Sequence, residues 1–487
     1  MQVALDTNNL GYWMSAPAAA HPDKVAIIDL SQETPATVTY GELDARLDRV
    51  AGALLAAGLR AHDRVILSCG NRVEFLEAMF GCMRAGVVPV PINTRQGADV
   101  LDYIVGNCGA VGVIAEPAAN QEIMKIADER ALAVRIGIGA PLSDGWQALD
   151  ELRDAAQPAP RCHADPDALC FLSYTSGSTG RPKGVPLTHA GQIWWVEALL
   201  KYWPPADGAR NLVAVPLYHK NAMAGAIKPR LGSGGSVVLM REFSARPFLE
   251  AASRYRVTTI SGVPTVFTLV LEEADLLESL DLTALETAVV GSAPVHEALE
   301  QEMEDRLGVA VLQSYGLTEG GPVMLGPPLD ERPIPRGSAG VAWPEGDVKL
   351  VDANGRDHPS DGELWVRNPG VATGYLDLPE VNAKRYTDGW LHTGDLFHCD
   401  TEGFYYFRGR VDDMFNCGGE NIYPKEVENL LLQHPDVVDA CVVALAHQTK
   451  GEAPAALVVL REGATADEAT LKRFTIENGP AYAHPRR

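Results

Sequence analysis

Short apolar runs alternate with amphipathic helical segments over most of the chain between residues 39 and 315. Runs of four or five apolar residues fit strands buried on both faces, and their alternation with helices is typical of a parallel, doubly wound sheet. The alternation pauses near residue 115 and returns between residues 169 and 315. The sequence therefore predicts an α/β protein whose large N-terminal domain holds two doubly wound sheets. The strand candidates are residues 65–68, 87–90, 111–115, 212–217, 237–240, 258–261, 288–290 and 309–312.

The helix boundaries are clearest near the start of this alternation. Thr39 and Glu42 have the spacing of a capping box, and an apolar face at helical spacing runs from Leu43 to Leu54 before Gly58. Residues 73–84 have the same helical character. Two helices are therefore predicted around the first strand candidate.

The pattern changes after about residue 336. Turn-rich β segments predict a small, β-barrel-like subdomain, and they are residues 348–351, 363–366 and 404–407. Past Met414, helical segments at 424–434 and 467–477 flank apolar runs at 440–445 and 455–460, which predicts a small α+β domain. We expect a large domain over residues 1–411 and a small, mobile domain over residues 412–487.

Composition limits the classes of partner. The chain has 487 residues, which is too long for one core, and its net charge of -23 argues against nucleic acid or an anionic membrane surface. Its 8 cysteines include no CxxC pair and no Cys/His ligand spacing, which fits a reducing cytoplasm rather than a disulfide framework or a structural zinc.

No targeting or spanning segment is expected. The sequence has no Lys or Arg before Lys24 and no apolar core of a signal peptide. Its longest uncharged apolar stretch, residues 257–271, contains Gly262 and Pro264 and is shorter than the roughly 20 residues that span a bilayer. We therefore expect a cytoplasmic protein without stable membrane insertion.

A Gly/Ser/Thr loop, YTSGSTGRPKGV at residues 174–185, directly follows the apolar run 169–172. Its glycines let backbone N–H groups approach an anion, its hydroxyls add donors, and Lys183 adds a compact positive charge. The loop is not a Walker A motif, because Lys183 follows Pro182 and precedes Gly184. The alternative, a flexible surface linker, is disfavoured by its position between a strand and a helix-like segment. The loop predicts a phosphate site.

Five further motifs follow this loop in a fixed order: GSAP at 291–294, YGLTE at 315–319, GELWVRNPGVATGY at 362–375, GWLHTGD at 389–395 and GRVDDMFNCGGENIYPKEVE at 409–428. Together the six motifs resemble those of the acyl-adenylate-forming superfamily, which includes AMP-forming acyl-CoA synthetases and aryl-CoA ligases. The resemblance implies that a carboxylic acid and ATP, with Mg²⁺, give acyl-AMP and pyrophosphate. A thiol, usually that of coenzyme A, then displaces AMP.

The resemblance implies three roles around the phosphates. The β- and γ-phosphates are held by Lys183 and by the loop residues Thr175, Ser176, Gly177, Ser178, Thr179 and Gly180. Thr318 contacts the α-phosphate and Glu319 holds Mg²⁺. Outside this order of motifs, a lone Thr-Glu pair is more often a helix cap.

The nucleoside is expected between two other segments. The resemblance implies that Tyr315 lies against adenine, and that the opposite wall is formed by Gly291, Ser292 and Ala293, followed by Pro294. Asp395 accepts hydrogen bonds from the ribose hydroxyls, and Arg410 supports the same sugar. Alone, Tyr315 would be interpreted as a core tyrosine, Asp395 as a turn residue and Arg410 as a solvated charge.

The thioester step implies a rearrangement. Asp412 matches the hinge around which the small domain rotates between the two half-reactions, and Gly418 and Gly419 match a loop that faces the active site in the thioester-forming state. Without the motif, Asp412 would be interpreted as an ordinary turn residue.

The acid pocket is expected at His219, Met223, Gly316 and Leu317, together with Gly291 and Ser292. Amino-acid-activating relatives hold the substrate ammonium with an aspartate near this segment, whereas Lys220 and Asn221 stand here. We therefore expect an apolar acid without an amino group, either a fatty or an aromatic acid.

The sequence given ends at Arg487, before a lysine that completes adenylation in the family. This ending motivates an alternative, a non-catalytic or half-active protein that binds nucleotide or acyl-adenylate. An oxygenase of the luciferase type is a third possibility that the motifs leave open. No pattern in the sequence indicates the oligomeric state.

Overall fold

A computed structural model describes residues 2–175, 181–206, 208–293, 295, 297–330, 332–417, 420–447, 450–461, 463–480 and 483–487 of the chain. Its contacts divide the chain into two compact units. The larger unit comprises Met1–Ala293, Met303–Met324 and Arg367–Leu391, and the smaller comprises Pro294–Glu302, Leu325–Val366 and His392–Arg487.

The α-helices are, in chain order, α1 (Gln2–Thr7), α2 (Ser15–Ala20), α3 (Tyr40–Ala56), α4 (Val73–Arg84), α5 (Ala98–Cys108), α6 (Gln121–Glu129), α7 (Leu149–Ala155), α8 (His189–Tyr202), α9 (Lys228–Gly232), α10 (Ala245–Arg254), α11 (Pro264–Glu272), α12 (Ala274–Ser279), α13 (Glu297–Leu307), α14 (Pro379–Arg385), α15 (Pro424–Leu431) and α16 (Glu468–Asn478). A 3-10 helix covers Leu10–Tyr12 and a π-helical segment covers Ala222–Ile227.

The strands are β1 (Val25–Asp29), β2 (Ala36–Thr39), β3 (Arg64–Ser68), β4 (Val88–Pro91), β5 (Gly112–Ala115), β6 (Val134–Gly137), β7 (Gln147–Ala148), β8 (Leu169–Thr175), β9 (Lys183–Thr188), β10 (Arg210–Val213), β11 (Ser236–Leu239), β12 (Thr259–Gly262), β13 (Thr287–Val290), β14 (Ala310–Gln313), β15 (Tyr315–Leu317), β16 (Gly321–Gly326), β17 (Val341–Ala342), β18 (Asp347–Val351), β19 (Asp357–His358), β20 (Asp361–Arg367), β21 (Tyr386–Thr387), β22 (Trp390–Cys399), β23 (Tyr405–Arg410), β24 (Phe415–Cys417), β25 (Glu420–Ile422), β26 (Val437–His447) and β27 (Gly451–Leu460).

The first sheet of the larger unit is parallel and has the order β4-β3-β5-β6-β7. Apart from Arg64, the residues of strands β3, β4 and β5 are buried, as the apolar runs predict. The predicted capping box is present, because Thr39 and Glu42 bond reciprocally at the start of α3. Helix α4 has the predicted bounds. The α/β fold class is confirmed.

The second sheet has the order β14-β13-β12-β10-β11-β1-β2 and includes two strands from the start of the chain. Strand β1 lies parallel to β11, with Ile27 opposite Val237, and β2 lies antiparallel to β1 at the edge. The strand candidates of the sequence begin at residue 65 and include neither β1 nor β2, and the partner of a strand depends on packing between distant residues. The first strands of the chain therefore complete the second sheet.

Strands β8 and β9 form a separate two-stranded antiparallel ribbon, with Leu169 opposite Thr188 and Thr175 opposite Lys183. The sequence grouped the run 169–172 with the second parallel series, whereas its partner is the segment just beyond the glycine-rich loop. Pro186 lacks a backbone N–H, which suits a strand with few neighbours.

The smaller unit contains two sheets. One has the order β19-β18-β20-β22, with β23 against β22, and the other has the order β25-β24-β27-β26 and packs against α15 and α16 through Ile422, Val427 and Leu471. The second matches the predicted α+β arrangement. Within the residues that the structure describes, no helix is both long and apolar enough to cross a bilayer.

Candidate active site

Glu319 lies just beyond β15 and is only 8 % exposed. Its Oε1 accepts a hydrogen bond of 2.8 Å from the Tyr375 hydroxyl and a long one, 3.5 Å, from Thr175 Oγ1 at the end of β8. Its other oxygen, Oε2, accepts no hydrogen bond that the described part of the chain supplies. A buried carboxylate with one unused oxygen fits a hard cation, which prefers oxygen ligands.

The segment after β20 is hydrogen-bonded to the backbone of Glu319 and Gly320. The Ala372 N–H donates to the Glu319 carbonyl at 2.7 Å, and the Asn368 side chain donates to the Gly320 carbonyl at 2.9 Å. Further on, the Leu376 N–H donates to the Gly184 carbonyl at 2.8 Å. These bonds hold the intervening Tyr375 between Glu319 and β9.

Tyr375 also meets Lys183, whose Nζ lies 5.1 Å from the centre of the phenol ring. Burial, followed by the charge of Glu319, raises the pKa of Tyr375, so the phenol stays protonated and can donate to the carboxylate. Lys183 is opposite Thr175 in the ribbon, so three predicted site residues, Thr175, Lys183 and Glu319, lie around one tyrosine.

A cavity of about 240 Å³ opens beside this group. Of the predicted pocket residues it is lined by His219, Gly291, Ser292, Gly316 and Leu317. Thr318, which the resemblance assigns to the α-phosphate, also lines it. Met223 is buried in the π-helical segment and does not line it. The remaining lining residues are Val215, Lys220, Asn221, Val263 and Ser314.

Two features of the cavity wall depart from an ordinary surface. Ser292 has a φ of 67°, a left-handed conformation that costs energy in a residue with a Cβ, and Asn221 donates to its Oγ at 3.0 Å. Burial lowers the pKa of His219, so its imidazole is neutral near pH 7.

Two buried lysines lie in this region. Lys220 donates from Nζ to the Thr318 carbonyl at 2.6 Å, and Lys228 donates to Gln192 Oε1 at 2.9 Å. Burial, reinforced for Lys220 by the charge of Lys228, lowers the pKa of Lys220 to about 7; burial lowers that of Lys228 to about 8. Glu319 acts in the opposite direction on Lys220.

The predicted nucleoside residues fall into two groups. Tyr315 is in β15, next to Gly316 of the cavity wall, and Ala293 follows the wall residue Ser292 as an exposed residue. In the smaller unit, Asp395 and Arg410 are cross-strand neighbours on β22 and β23, with Nη1 and Oδ1 3.0 Å apart.

The remaining predicted residues belong to turns or lie outside the description. Asp412 is exposed in a turn between β23 and β24. The described residues do not include Ser176, Gly177, Ser178, Thr179, Gly180, Pro294, Gly418 or Gly419.

Tyr375 and Lys220 are among the site residues that the sequence does not predict. Tyr375 closes the quoted GELWVRNPGVATGY motif, but its contact with Glu319 joins segments that the linear pattern does not relate. Lys220 enters the sequence argument only because it stands near the place of an aspartate in amino-acid-activating relatives, although a lysine inside an apolar segment is itself a signal.

Mg²⁺ fits Glu319. Within the described residues no cluster of three or more His, Cys, Asp or Glu side chains could hold a metal ion. Mg²⁺ commonly binds through one or two carboxylates together with substrate phosphates and water, so the single carboxylate of Glu319 suits it.

Comparisons with known proteins identify the family of the chain. Family models match the chain as an AMP-binding enzyme over residues 14–376 and as the C-terminal domain of AMP-binding enzymes over residues 426–487. A feruloyl-CoA synthase of Amycolatopsis sp is 37% identical over 94% of this chain and 90% of its own length. A sulfoacetate–CoA ligase of Cupriavidus necator is 30% identical over 98% and 93%.

Among solved structures, ATP-bound MatB from Rhodopseudomonas palustris superposes with a TM-score of 0.88 at 30% identity, covering 98% of this chain and 94% of the other. The chain therefore belongs to the AMP-binding enzyme family, the acyl-adenylate-forming superfamily, and is an AMP-forming acid–thiol ligase.

Proposed function

We propose that this enzyme joins an apolar carboxylic acid, fatty or aromatic and without an amino group, to coenzyme A, using ATP and Mg²⁺. The observation that carries the proposal is the group formed by Glu319, Thr175 and Lys183 around Tyr375, next to a cavity whose wall includes Thr318. It unites a cation-binding carboxylate, a phosphate-binding lysine and room for an acid.

The first step needs alignment rather than a base, because a carboxylate is already ionised near neutral pH. One carboxylate oxygen attacks the α-phosphorus of ATP, the bond to the bridging oxygen breaks, and pyrophosphate leaves with the electron pair. In the second step the thiolate sulfur attacks the acyl carbon and AMP leaves.

The chain's own residues supply charge and position in this scheme. Lys183, together with Thr175, Ser176, Gly177, Ser178, Thr179 and Gly180, holds the β- and γ-phosphates, and Thr318 contacts the α-phosphate. Glu319, fixed by the Tyr375 hydroxyl, holds Mg²⁺. The ion supplies positive charge to the phosphate oxygens as pyrophosphate departs.

The nucleoside and thiol roles stay with the residues named from the sequence. Adenine lies between Tyr315 and the segment 291–294, and Asp395, steadied by Arg410, accepts from the ribose hydroxyls. Gly418 and Gly419 face the pantetheine arm after rotation at Asp412, the proposed boundary between the domains 1–411 and 412–487.

The apolar part of the acid is supported by Val215, Val263 and Leu317, which line the cavity beside the glycines Gly291 and Gly316. The name of one relative supports an aromatic acid, since a feruloyl-CoA synthase is similar to this chain. No described carboxylate lines the cavity to pair with a substrate ammonium, which disfavours an amino acid.

The test is a panel of fatty, phenylacetic, benzoic and cinnamic acids with ATP and Mg²⁺. Acid-dependent exchange of labelled pyrophosphate into ATP measures the first step, and mass spectrometry of the acyl-CoA measures the second. We expect both signals with at least one apolar acid. Exchange confined to free amino acids, or to acetate, would contradict the assignment.

A further inference from the structure

Lys220 is placed where a substrate would meet it. It is 7 % exposed, lies on the wall of the 240 Å³ cavity, and stands two residues before the first residue of the π-helical segment. Its Nζ is anchored 2.6 Å from the carbonyl oxygen of Thr318, the residue before Glu319. The ammonium is therefore held beside the end of the cavity that adjoins the Glu319 group.

The hydrogen bonds of this ammonium are incomplete. A protonated lysine has three N–H donors, and the Thr318 carbonyl accepts one. No other acceptor for Lys220 is found within the described ranges of the chain. A buried ammonium with two unmet donors is costly. Burial itself, with the charge of Lys228, lowers the pKa of Lys220. A ligand oxygen in the cavity would complete the set.

Lys228 shows what a buried lysine without such a role looks like. It is 1 % exposed, its Nζ donates to Gln192, and it does not line the cavity. Lys220 and Lys228 lie on the same stretch of chain and both have a lowered pKa, so Lys228 is a suitable control for Lys220. They differ in whether a cavity faces the ammonium.

The other polar groups of the cavity are weaker candidates. The side-chain amide of Asn221 already donates a hydrogen bond to Ser292 Oγ, and His219 is neutral at pH 7. The titratable groups that act on Lys220 are Lys228, Glu319 and the Cys170 thiol, and none of these three lines the cavity. Lys220 is thus the one lysine or arginine of the described cavity wall.

We propose that Lys220 is a specificity-determining residue that donates to a second oxygen acceptor of the acid, a hydroxyl, oxo or further carboxylate group near its reacting carboxylate. This deepens the proposed function and rests on it. The hydrocarbon part of the substrate contacts Val215, Val263 and Leu317, while the added oxygen takes the donors that the protein leaves unmet.

The experiment compares acids that differ by one oxygen-bearing group: phenylacetate with mandelate and phenylglyoxylate, and butyrate with 2-hydroxybutyrate and succinate. The measured quantity is the ratio of kcat/KM for the oxygenated acid to that for its parent. A hydrogen bond to a charged group predicts a ratio of about 10 to 100 in the unmodified enzyme for at least one set.

Lys220→Met should reduce that ratio to about 1, because it keeps the length of the side chain and removes the donors. Lys228→Met should leave the ratio unchanged. The ratio compares two substrates of one preparation, so partial unfolding cancels. Lys220→Gln retains an N–H donor and gives an intermediate ratio, which serves if the methionine variant fails to fold.

Three results would overturn the inference: a preference for the parent acid in every set, equal ratios in the unmodified enzyme and Lys220→Met, or an equal loss in Lys228→Met. A uniform loss for both acids of a set would assign Lys220 to the reacting carboxylate instead. Absence of acyl-CoA from every acid would refute the proposed function itself, which is a different outcome.

Discussion

Two of the buried basic side chains of the larger unit have opposite hydrogen-bond environments. Arg84, at the end of α4, is 1 % exposed, and each of its five N–H donors meets an acceptor. Nε donates to the Gly11 carbonyl at 2.9 Å, the remaining donors reach Asp44, Asp48 and Ser15, and the guanidinium lies 4.6 Å from the Tyr12 ring.

Lys220 is nearly as buried, yet one acceptor is all that the described residues give it. The comparison teaches that burial of a charge alone does not reveal its purpose. A charge whose donors are all used stabilises the fold, whereas one with donors left over, beside a cavity, is available to a ligand.

The largest expected effect concerns the active site beside Lys220. Glu319→Gln removes the charge that we assign to Mg²⁺ and should reduce acid-dependent pyrophosphate exchange by about 10² to 10³. Raised Mg²⁺ should restore part of the rate, and the melting temperature should be nearly unchanged. An unaltered rate at low Mg²⁺ would contradict the role.

The next effect tests the contribution of Arg84 to the stability of the fold. Arg84→Met leaves the carboxylates of Asp44 and Asp48 and the Gly11 carbonyl without their partner, and should lower the free energy of unfolding by about 3 kcal/mol in chemical denaturation. Arg256→Met, which breaks an exposed pair with Asp281, is the control and should cost less than about 1 kcal/mol.

Substrate preference distinguishes the role of Arg84 from that of Lys220 most clearly. Arg84→Met should leave the ratio between oxygenated and parent acids as it is. A changed ratio would mean that the satisfied cation also shapes the cavity, and the comparison would fail.

The buried His189 accepts a hydrogen bond in its neutral form, which leads to a prediction for the pH dependence of stability. The Leu10 N–H donates to Nδ1 of His189 at 3.1 Å, and burial, with a smaller contribution from His62, lowers the pKa of His189 to about 4. Between pH 6.5 and 4 the unfolded chain binds a proton that the folded chain does not, so stability falls as the pH falls.

His189→Asn should remove this dependence. Relative to that variant, the unmodified protein should lose about 2 kcal/mol of unfolding free energy between pH 7 and pH 5. Denaturation curves at the two pH values measure the difference. Equal losses in the two proteins would show that His189 is protonated in the folded state.

The smallest effect concerns the support of Glu319. Tyr375→Phe deletes the hydroxyl that donates to Oε1 and should slow pyrophosphate exchange roughly tenfold. Tyr386→Phe is the matched control, because its buried hydroxyl has no hydrogen-bond partner among the described residues. If both variants slow the exchange equally, the effect is one of packing.

The sequence predicts local features of this molecule better than distant ones. The capping box at Thr39 and the bounds of α4 follow from neighbours within a few residues, and they are confirmed. The same holds for most strand positions, because apolar runs and turn residues are read directly from the chain.

Pairing between distant segments is what the sequence does not supply. The bonds of Tyr375 to Glu319 and of Lys220 to Thr318 connect residues that no periodicity relates, and the place of β1 in the second sheet has the same origin. Such contacts arise from the packing of whole layers. The motifs identify the residues of the site, and the fold decides which of them meet.

The position of β1 also sets an order of events during synthesis. Ile27 leaves the ribosome long before its partner Val237 exists, and at about 5 to 20 residues per second the wait is roughly 10 to 40 s. The first sheet, whose strands end at Ala148, can close in that interval. Until β11 emerges, one edge of the β1–β2 hairpin has backbone groups open to other chains, so this hairpin is where a nascent molecule most needs a chaperone.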